Sequence, residues 1–327
     1  MTDYTLIDKI DTDNAEFQDA FALLQYTHQS VFLTGKAGTG KSTFLRYICE
    51  HTRKKYVVLA PTGIAAINAG GSTIHSFFKM PFRPILPDDP ELSVQGNRIY
   101  DLLKYNKTQR RLIKEVELVI IDEISMVRAD LLDAVDMVLR RYRRNDKPFG
   151  GVQLLMIGDA QQLSPVVKDS ERYYMDQVYP SPYFFHSKAL AKLSYVTIEL
   201  QKVHRQKDKD FLDVLNAVRE NRLTAPLLAK LNSRVGAVLK ADDEETEPIR
   251  LTTHNAQADE VNMLKLNELP GEPVHFVAEV EGEFQENSYP AEEVLTLKPG
   301  AQVMFLRNDS DGQFYNGKLG RVEDVFE

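Results

Sequence analysis

The chain has little that would tie it to export, to a membrane or to a disulfide scaffold. Cys49 is its single cysteine, which excludes an internal disulfide framework and fits a reducing interior. That residue reads as a small apolar packing group in a helix. No apolar run approaches the ~20 residues needed to span a bilayer. The opening stretch, MTDYTLIDKIDTDNAEF, is acidic and has no apolar h-region, so nothing in it points to secretion. None of the seven histidines pairs with another at a metal-ligand spacing, which argues against a zinc site. Basic residues are in deficit: a net charge of −8 argues against a large basic face, although nucleic-acid binding depends on where the basic groups sit. Arg140, Arg141, Arg143, Arg144 and Lys147 do cluster, either as a patch for a polyanion or as a solvated helix face.

What is present is organised around Ser30 to Thr43, SVFLTGKAGTGKST. Val31, Phe32, Leu33 and Thr34 form an apolar, β-branched run that reads as a buried strand. The pattern G-x-x-x-x-G-K-S comes next as Gly35, Lys36, Ala37, Gly38, Thr39, Gly40, Lys41 and Ser42. Beyond Thr43, residues Phe44, Leu45 and Ile48 then recur at helical spacing. Strand, glycine-rich loop and helix in that order make a cradle for a polyphosphate. Glycines let successive N–H groups turn inward, and the positive end of the helix faces the same way. Lys41 is placed to reach the β- and γ-phosphates, and the Ser42 hydroxyl to ligate Mg²⁺. The implied ligand is a nucleoside triphosphate.

At 327 residues, 43% hydrophobic and 27% charged, the chain reads as an ordinary globular protein of about two or three domains. A helix is expected over about 12–28. Further buried strands are expected at Tyr56 to Ala60, Leu118 to Ile121 and in the GGVQLLMIGD stretch. An amphipathic helix fits 129–144, with Leu131, Val135, Val138, Leu139 and Tyr142 as its apolar stripe. Strands alternating with helices predict an α/β fold, a mostly parallel sheet with its ligand beyond the strands' carboxyl ends. The domain boundary is expected near residue 190. The segments Tyr195 to Leu200 and Ile249 to Thr252 are then strands of a second αβ unit. From about residue 272 the texture changes to short strands and Gly or Asn turns, the start of a small β-rich element.

Asp122 and Glu123 close one of the buried strands. Beside a phosphate-binding loop, the first carboxylate supports Mg²⁺ and the second polarises the attacking water. Adjacent acids repel in a dry site, and a bound cation compensates. Gln162, just after Gly158 and Asp159, is a neutral amide suited to sensing the γ-phosphate or its water. Arg205 comes after a strand of the expected second domain and is a candidate arginine finger, worth roughly 10³–10⁵ in rate.

In order, GKAGTGKS, APTGIAA, TIHSFF, VIIDEISMV, IGDAQQLSPV, HRQ and the late VMFLRND…NGKLG resemble the petite-integration-frequency (Pif-type) DNA helicases. These are RecD-like enzymes of superfamily one. The resemblance runs from about residue 14 to the end, and EISMVRADLLDAVDMVLRRYRR looks like the family's signature segment. It implies a P-loop ATPase with two RecA-like domains, each a parallel sheet flanked by helices. These would be 1–190, with a small wedge-like insertion around 79–98, and 191–327, carrying the start of an SH3-like β subdomain from about 272. It also implies ATP and Mg²⁺ in the cleft between the domains and 5′→3′ translocation on single-stranded DNA. Duplex unwinding, and often G-quadruplex unfolding, come with it. Gln18, seventeen residues before Gly35, matches the family's adenine-reading glutamine. The ATPase roles carry over to Lys41, Ser42, Asp122, Glu123, Gln162 and Arg205. Pro61, Thr62 and Gly63 match a motif that touches the DNA backbone. His75, Phe77 and Phe78 match its neighbour and offer a stacking face, unless the phenylalanines pack in the core. Thr252, His254 and Asn255 match the strand-exit motif of the second domain, and Pro81 to Pro90 sits where such helicases place a wedge.

The family continues past an NG turn like Asn316–Gly317 into two further motifs, one with a second arginine finger. Neither occurs here, so the chain is expected to be truncated, with weak hydrolysis or unwinding. The expected partners are single-stranded DNA and duplex junctions, met by a monomer in the cytoplasm or nucleoid, or in a nucleus or mitochondrion. Two rivals are a nucleotide-gated single-strand binder with little turnover and a protein-remodelling P-loop ATPase, which would need a helical lid.

Overall fold

The apolar runs legible in the sequence form the strands of one sheet. A computed structural model describes residues 14–86, 103–203, 208–237, 249–279, 291–306, 309, 313–314 and 318–325. The chain divides into two compact units, Met1–Asn232 and Ser233–Glu327. In the first, β1 (Ser30–Gly35), β2 (Tyr56–Ala60), β3 (Ser72–Thr73), β4 (Leu118–Ile121), β5 (Gln153–Ile157) and β6 (Tyr195–Leu200) pair in the order β3-β2-β4-β5-β1-β6. Every pair is parallel. All residues of β4 and β5 are buried, as expected of strands covered on both faces.

Side-chain alternation sorts each strand between two cores. Val119, Ile121, Leu154, Met156 and Phe32 face a cluster built with Leu132, Val135 and Leu139 of α6 (Ala129–Arg143). Leu118, Ile120, Leu155, Ile157, Val31 and Leu33 face the other side. There they meet Phe17 and Leu24 of α1 (Ala15–Tyr26) and Phe44 and Ile48 of α2 (Lys41–His51). The Phe17 and Phe44 rings meet edge to face with centroids 4.9 Å apart, tying α1 to the helix beyond the glycine-rich loop.

Short polar residues start the helices. Asn14, Thr62, Thr73 and Asn106 each accept a first-turn N–H, at α1, α3 (Gly63–Asn68), α4 (Ile74–Phe78) and α5 (Lys107–Glu115). On α6, Asp130, Asp133 and Asp136 recur every third residue and each pins a loop. Asp130 accepts the Ile85 N–H at 2.9 Å and a two-pronged bond from Arg128, which also reaches Glu171 of α7 (Asp169–Asp176). Asp133 accepts the Tyr179 and Ser187 hydroxyls, and Asp136 accepts the Phe149 N–H at 2.6 Å. The arginine cluster at the far end of α6 is partly structural. Arg140 pairs with Asp136, and Arg143 donates to the carbonyls of Ile113, Lys114, Val116 and Gly150.

Two expectations need correcting. β6 pairs along its length with β1, so it belongs to the first sheet, and the units divide after Asn232 rather than near residue 190. α8 (Lys209–Arg219) and α9 (Ala225–Asn232) also fall in the first unit. Ile249 to Thr252 lies outside any strand: its residues are exposed, with no ladder partner among the described residues to satisfy their backbone. The second unit holds α10 (Asn255–Glu268) and two antiparallel ladders, β7 (Val274–Val277) with β8 (Val294–Leu297) and β9 (Gln302–Met304) with β10 (Leu319–Arg321). The expected change to short strands after residue 272 is therefore present. Pro87 to Pro90, Asn316 and Gly317 lie outside the described residues.

Phe44 is the test of this packing. Phe44→Ala should cost roughly 3–5 kcal/mol, read by urea denaturation, because a fully buried ring leaves a cavity between α1 and the sheet. A loss below about 1 kcal/mol would contradict the packing described.

Candidate active site

Three neighbouring strands, β4, β5 and β1, deliver their carboxyl ends side by side. β1 leads into the loop Lys36 to Gly40, which returns as α2. Gly35 has φ +144° there, and a Cβ on it would lie 2.6 Å from the Leu200 carbonyl and 2.7 Å from Thr39 Oγ1. Gly40 caps α2 at φ 95° and puts no side chain over the helix's first N–H groups. A side chain at either position would oppose the turn. Those amides, with the helix dipole behind them, form a site for an anion.

Lys41 Nζ donates to the carbonyls of Gly35 at 2.6 Å and Lys36 at 3.1 Å. Burial lowers its pKa below the usual lysine value, and the charges of Asp159, Glu123 and Asp122 partly offset this. Asp122 and Glu123 leave β4. Glu123 adopts a left-handed conformation (φ 50°, ψ 44°), a costly one for a non-glycine residue, and its N–H donates to Asp122 Oδ1 at 3.0 Å. Burial raises the pKa of both carboxyls, and for Glu123 the Asp122 charge adds to it. Among the described residues no cluster of three or more His, Cys, Asp or Glu side chains could hold a metal alone. The donor set suits Mg²⁺, which takes one or two carboxylates and completes its shell with phosphate oxygens and water. Asp122 and the exposed Ser42 hydroxyl are the residues that would hold it.

Asp159, at the exit of β5, is handled differently. Its carboxylate accepts Arg219 Nε at 2.8 Å, Arg219 Nη2 at 3.0 Å, the Gln161 N–H and Gln162 Nε2 at 3.1 Å. Burial alone would push this carboxyl up, but those donors together hold it below the usual carboxylate value. A second link, Lys36 to Glu220 at 3.3 Å, joins the phosphate loop to the residue after Arg219. Sequence reasoning missed Arg219, Glu220 and Lys36. Their partners lie far off in the chain, and no local spacing marks such pairs.

The other expected site residues lie in several elements of the two units. Gln18 lies exposed on α1, and Ala37, Ser42 and Thr43 are exposed at the loop, while the Thr39 hydroxyl donates to the Lys36 carbonyl. Pro61 is half-buried after β2, the Thr62 hydroxyl caps α3, and a Cβ on Gly63 would meet nothing within 4 Å. The His75 ring stacks on Phe82, centroids 4.6 Å apart at 12°, and Phe82 is 62% exposed. Burial lowers the His75 pKa, the Arg128 charge adds to this, and Asp130 opposes it. Phe77 is half-buried against the core, and Phe78 is corrected from a stacking face to a core residue, since it is fully buried. In the second unit, the Thr252 hydroxyl donates to the His254 carbonyl, His254 caps α10, and Asn255 is exposed. Arg205 lies outside the described residues.

This geometry carries two expected outcomes. Lys41→Ala should weaken binding of a fluorescent ATP analogue by about 10- to 100-fold, the loss of a charge-assisted bond to phosphate. An unchanged Kd would remove Lys41 from the site. Because the Asp122 and Glu123 pKa values are raised, these groups take up protons earlier than ordinary carboxylates as pH falls. The Mg²⁺ requirement should therefore begin to rise, as pH falls, before the ordinary carboxylate range is reached; a flat titration would contradict the shared acidic site.

A family model described as PIF1-like helicase matches residues 12–226. The chain is 35% identical over 306 residues to the ATP-dependent DNA helicase RRM3 of Saccharomyces cerevisiae, covering 90% of this chain and 40% of that protein. It is likewise 35% identical over 306 residues to the human ATP-dependent DNA helicase PIF1, covering 90% of this chain and 44% of that one. The chain thus spans about two-fifths of the length of these curated relatives. Among solved structures it is similar to the Pif1 helicase from Bacteroides in complex with ADP-AlF3 and ssDNA. That match has a TM-score of 0.80 and 40% identity over 96% of this chain and 70% of that one. The Pif1 helicase from Candida albicans gives a TM-score of 0.78 and 35% identity, over 95% and 68% of the two chains. With a glycine-rich loop, a paired acid exit and a Gln162 loop at adjacent strand ends, the chain belongs to the PIF1-like helicase family.

Proposed function

We propose that this chain is the motor portion of an ATP-dependent DNA helicase, translocating 5′→3′ on single-stranded DNA and unwinding duplex or G-quadruplex structures. The observation that carries the reading is the convergence of Lys41, Asp122, Glu123 and Asp159 at three adjacent strand ends. The relatives' names support it, as do solved relatives described with single-stranded DNA and at forked duplex DNA. The site of action is wherever DNA is held: a nucleoid, a nucleus or a mitochondrion.

The phosphates of ATP lie on the amides between Gly35 and Ser42, and Gln18 reads the adenine. Lys41 exchanges its two carbonyl partners for phosphate oxygens, a charge-assisted bond replacing a dipolar one. When bound, Mg²⁺ supplies charge neutralisation at the phosphates, held by Ser42 and Asp122. Glu123 takes a proton from the attacking water; burial, with the Asp122 charge adding to it, raises its pKa and makes it a stronger base than an ordinary carboxylate. Gln162 touches the γ-phosphate side and reports its loss, and Arg205 is the arginine finger. In the first unit, Pro61, Thr62, Gly63 and the His75 and Phe77 rings contact the strand. In the second, Thr252, His254 and Asn255 hold phosphates.

Phosphate release measured with and without single-stranded DNA tests the reading. DNA should accelerate turnover several-fold, and a rate indifferent to DNA would contradict it. Glu123→Gln should leave the Kd for ATP within about threefold of the wild type while slowing turnover about 10²- to 10⁴-fold. A variant with normal turnover would remove Glu123 as the base.

A further inference from the structure

The C-terminal end of α8 sends two consecutive side chains, Arg219 and Glu220, to the β5 exit and to the phosphate loop. Arg219 reaches the β5 exit, taking both oxygens of Asp159 at 2.8 and 3.0 Å. Glu220 reaches the phosphate loop, with Oε1 3.3 Å from Lys36 Nζ, and also pairs with Arg222. The first link is the dry one: the Asp159 side chain is 1% exposed and that of Arg219 17%. A two-pronged guanidinium–carboxylate pair in such surroundings fixes angle as well as distance.

Asp159 in turn holds the two glutamines beyond Ala160. Its Oδ1 accepts the Gln161 N–H, its Oδ2 accepts Gln162 Nε2, and its carbonyl accepts the Gln162 N–H. Donors therefore meet the carboxylate on both oxygens and lock its rotation, and the Gln162 amide hangs from one of them. Without the guanidinium, a buried carboxylate would keep two neutral donors. It would then turn or take up a proton, and either change would release Gln162.

We infer that Arg219 is a positioning residue for ATP hydrolysis: it clamps Asp159 and, through it, sets the Gln162 amide beside the phosphate loop. The inference rests on the function proposed above for its link to turnover, and on geometry alone for its link to Gln162. The Arg219 side chain bonds Asp159, and it reaches Gln162 through that carboxylate. The helix whose end meets both Asp159 and the phosphate loop is thereby coupled to the group proposed to sense the γ-phosphate, with α8 moving Gln162 whenever it moves Arg219.

The test compares wild type, Arg219→Ala and Arg219→Lys in DNA-stimulated ATP turnover and in amide hydrogen exchange. Arg219→Ala should lower kcat about 10- to 100-fold with KM for ATP changed less than about threefold. Its acid limb should move to higher pH, because Asp159 loses the partner that holds its carboxyl low, so protonation begins earlier as pH falls. The Gln161 and Gln162 amides should exchange faster, and Arg219→Lys should recover part of the rate by restoring the charge without the fork. An unshifted acid limb with wild-type kcat overturns the inference. So does a parallel loss of kcat, nucleotide affinity and melting temperature, which marks a purely structural anchor. If Arg219→Ala does not fold, Arg219→Gln carries the same comparison. A wild type without DNA-stimulated turnover would defeat the proposed helicase function. The positioning role is then judged by exchange, and unchanged exchange at Gln161 and Gln162 in the variant overturns it.

Discussion

A parallel ladder sends the carbonyl end of every strand to one edge of the sheet, and the site depends on that constraint. β5 lies between β4 and β1, so their exits fall side by side although Gly35, Asp122 and Asp159 are separated by long stretches of chain. The ladder is held from both faces. Alternate residues of each strand enter separate cores, and a one-residue slip would send Ile121 and Met156 to the wrong one. The precision of the site is therefore inherited from the register of apolar side chains that touch no ligand.

Electrostatics then divides three acids, Asp122 and Glu123 half-buried and Asp159 buried, into two kinds. Asp122 and Glu123 are short of donors and hold their protons more tightly than usual. Asp159, more enclosed than either, is saturated with donors that hold its carboxyl below the usual value. Environments that drive neighbouring carboxyls in opposite directions separate roles within one site. In the proposed mechanism the first pair meets a cation and transfers a proton, and the last serves as a fixed anchor. Lys41 sits in the field of all three, and its shortage of water is what makes incoming phosphate charge favourable.

Much of this was legible because it is local. The Gly35–Ser42 loop carries its own conformational requirement, and the all-apolar strand before Asp122 announced a doubly covered position. The polar scaffold was not legible. Asp130, Asp133 and Asp136 look like the solvated side of an amphipathic helix, yet they pin loops whose sequences give no hint of the pairing. Likewise the arginines after Val138 read as a basic patch or a solvated helix face, while Arg143 is spent closing the end of α5. β6 was misplaced because a strand beside an αβ pattern looks the same in either unit; only its ladder to β1 decides. Phe78 shows the same ambiguity at a single residue, since an aromatic at helical spacing suits a core as well as a stacking surface.

The central claim is that Lys41 and the amides of Gly35 to Ser42 receive the phosphates of ATP. The most direct measurement is a crystal structure with a non-hydrolysable ATP analogue and Mg²⁺. The expected result has the phosphates along that backbone, with Lys41 Nζ moved off the Gly35 carbonyl and onto phosphate oxygens. An analogue bound elsewhere, with Lys41 still donating to Gly35 and Lys36, would contradict the account.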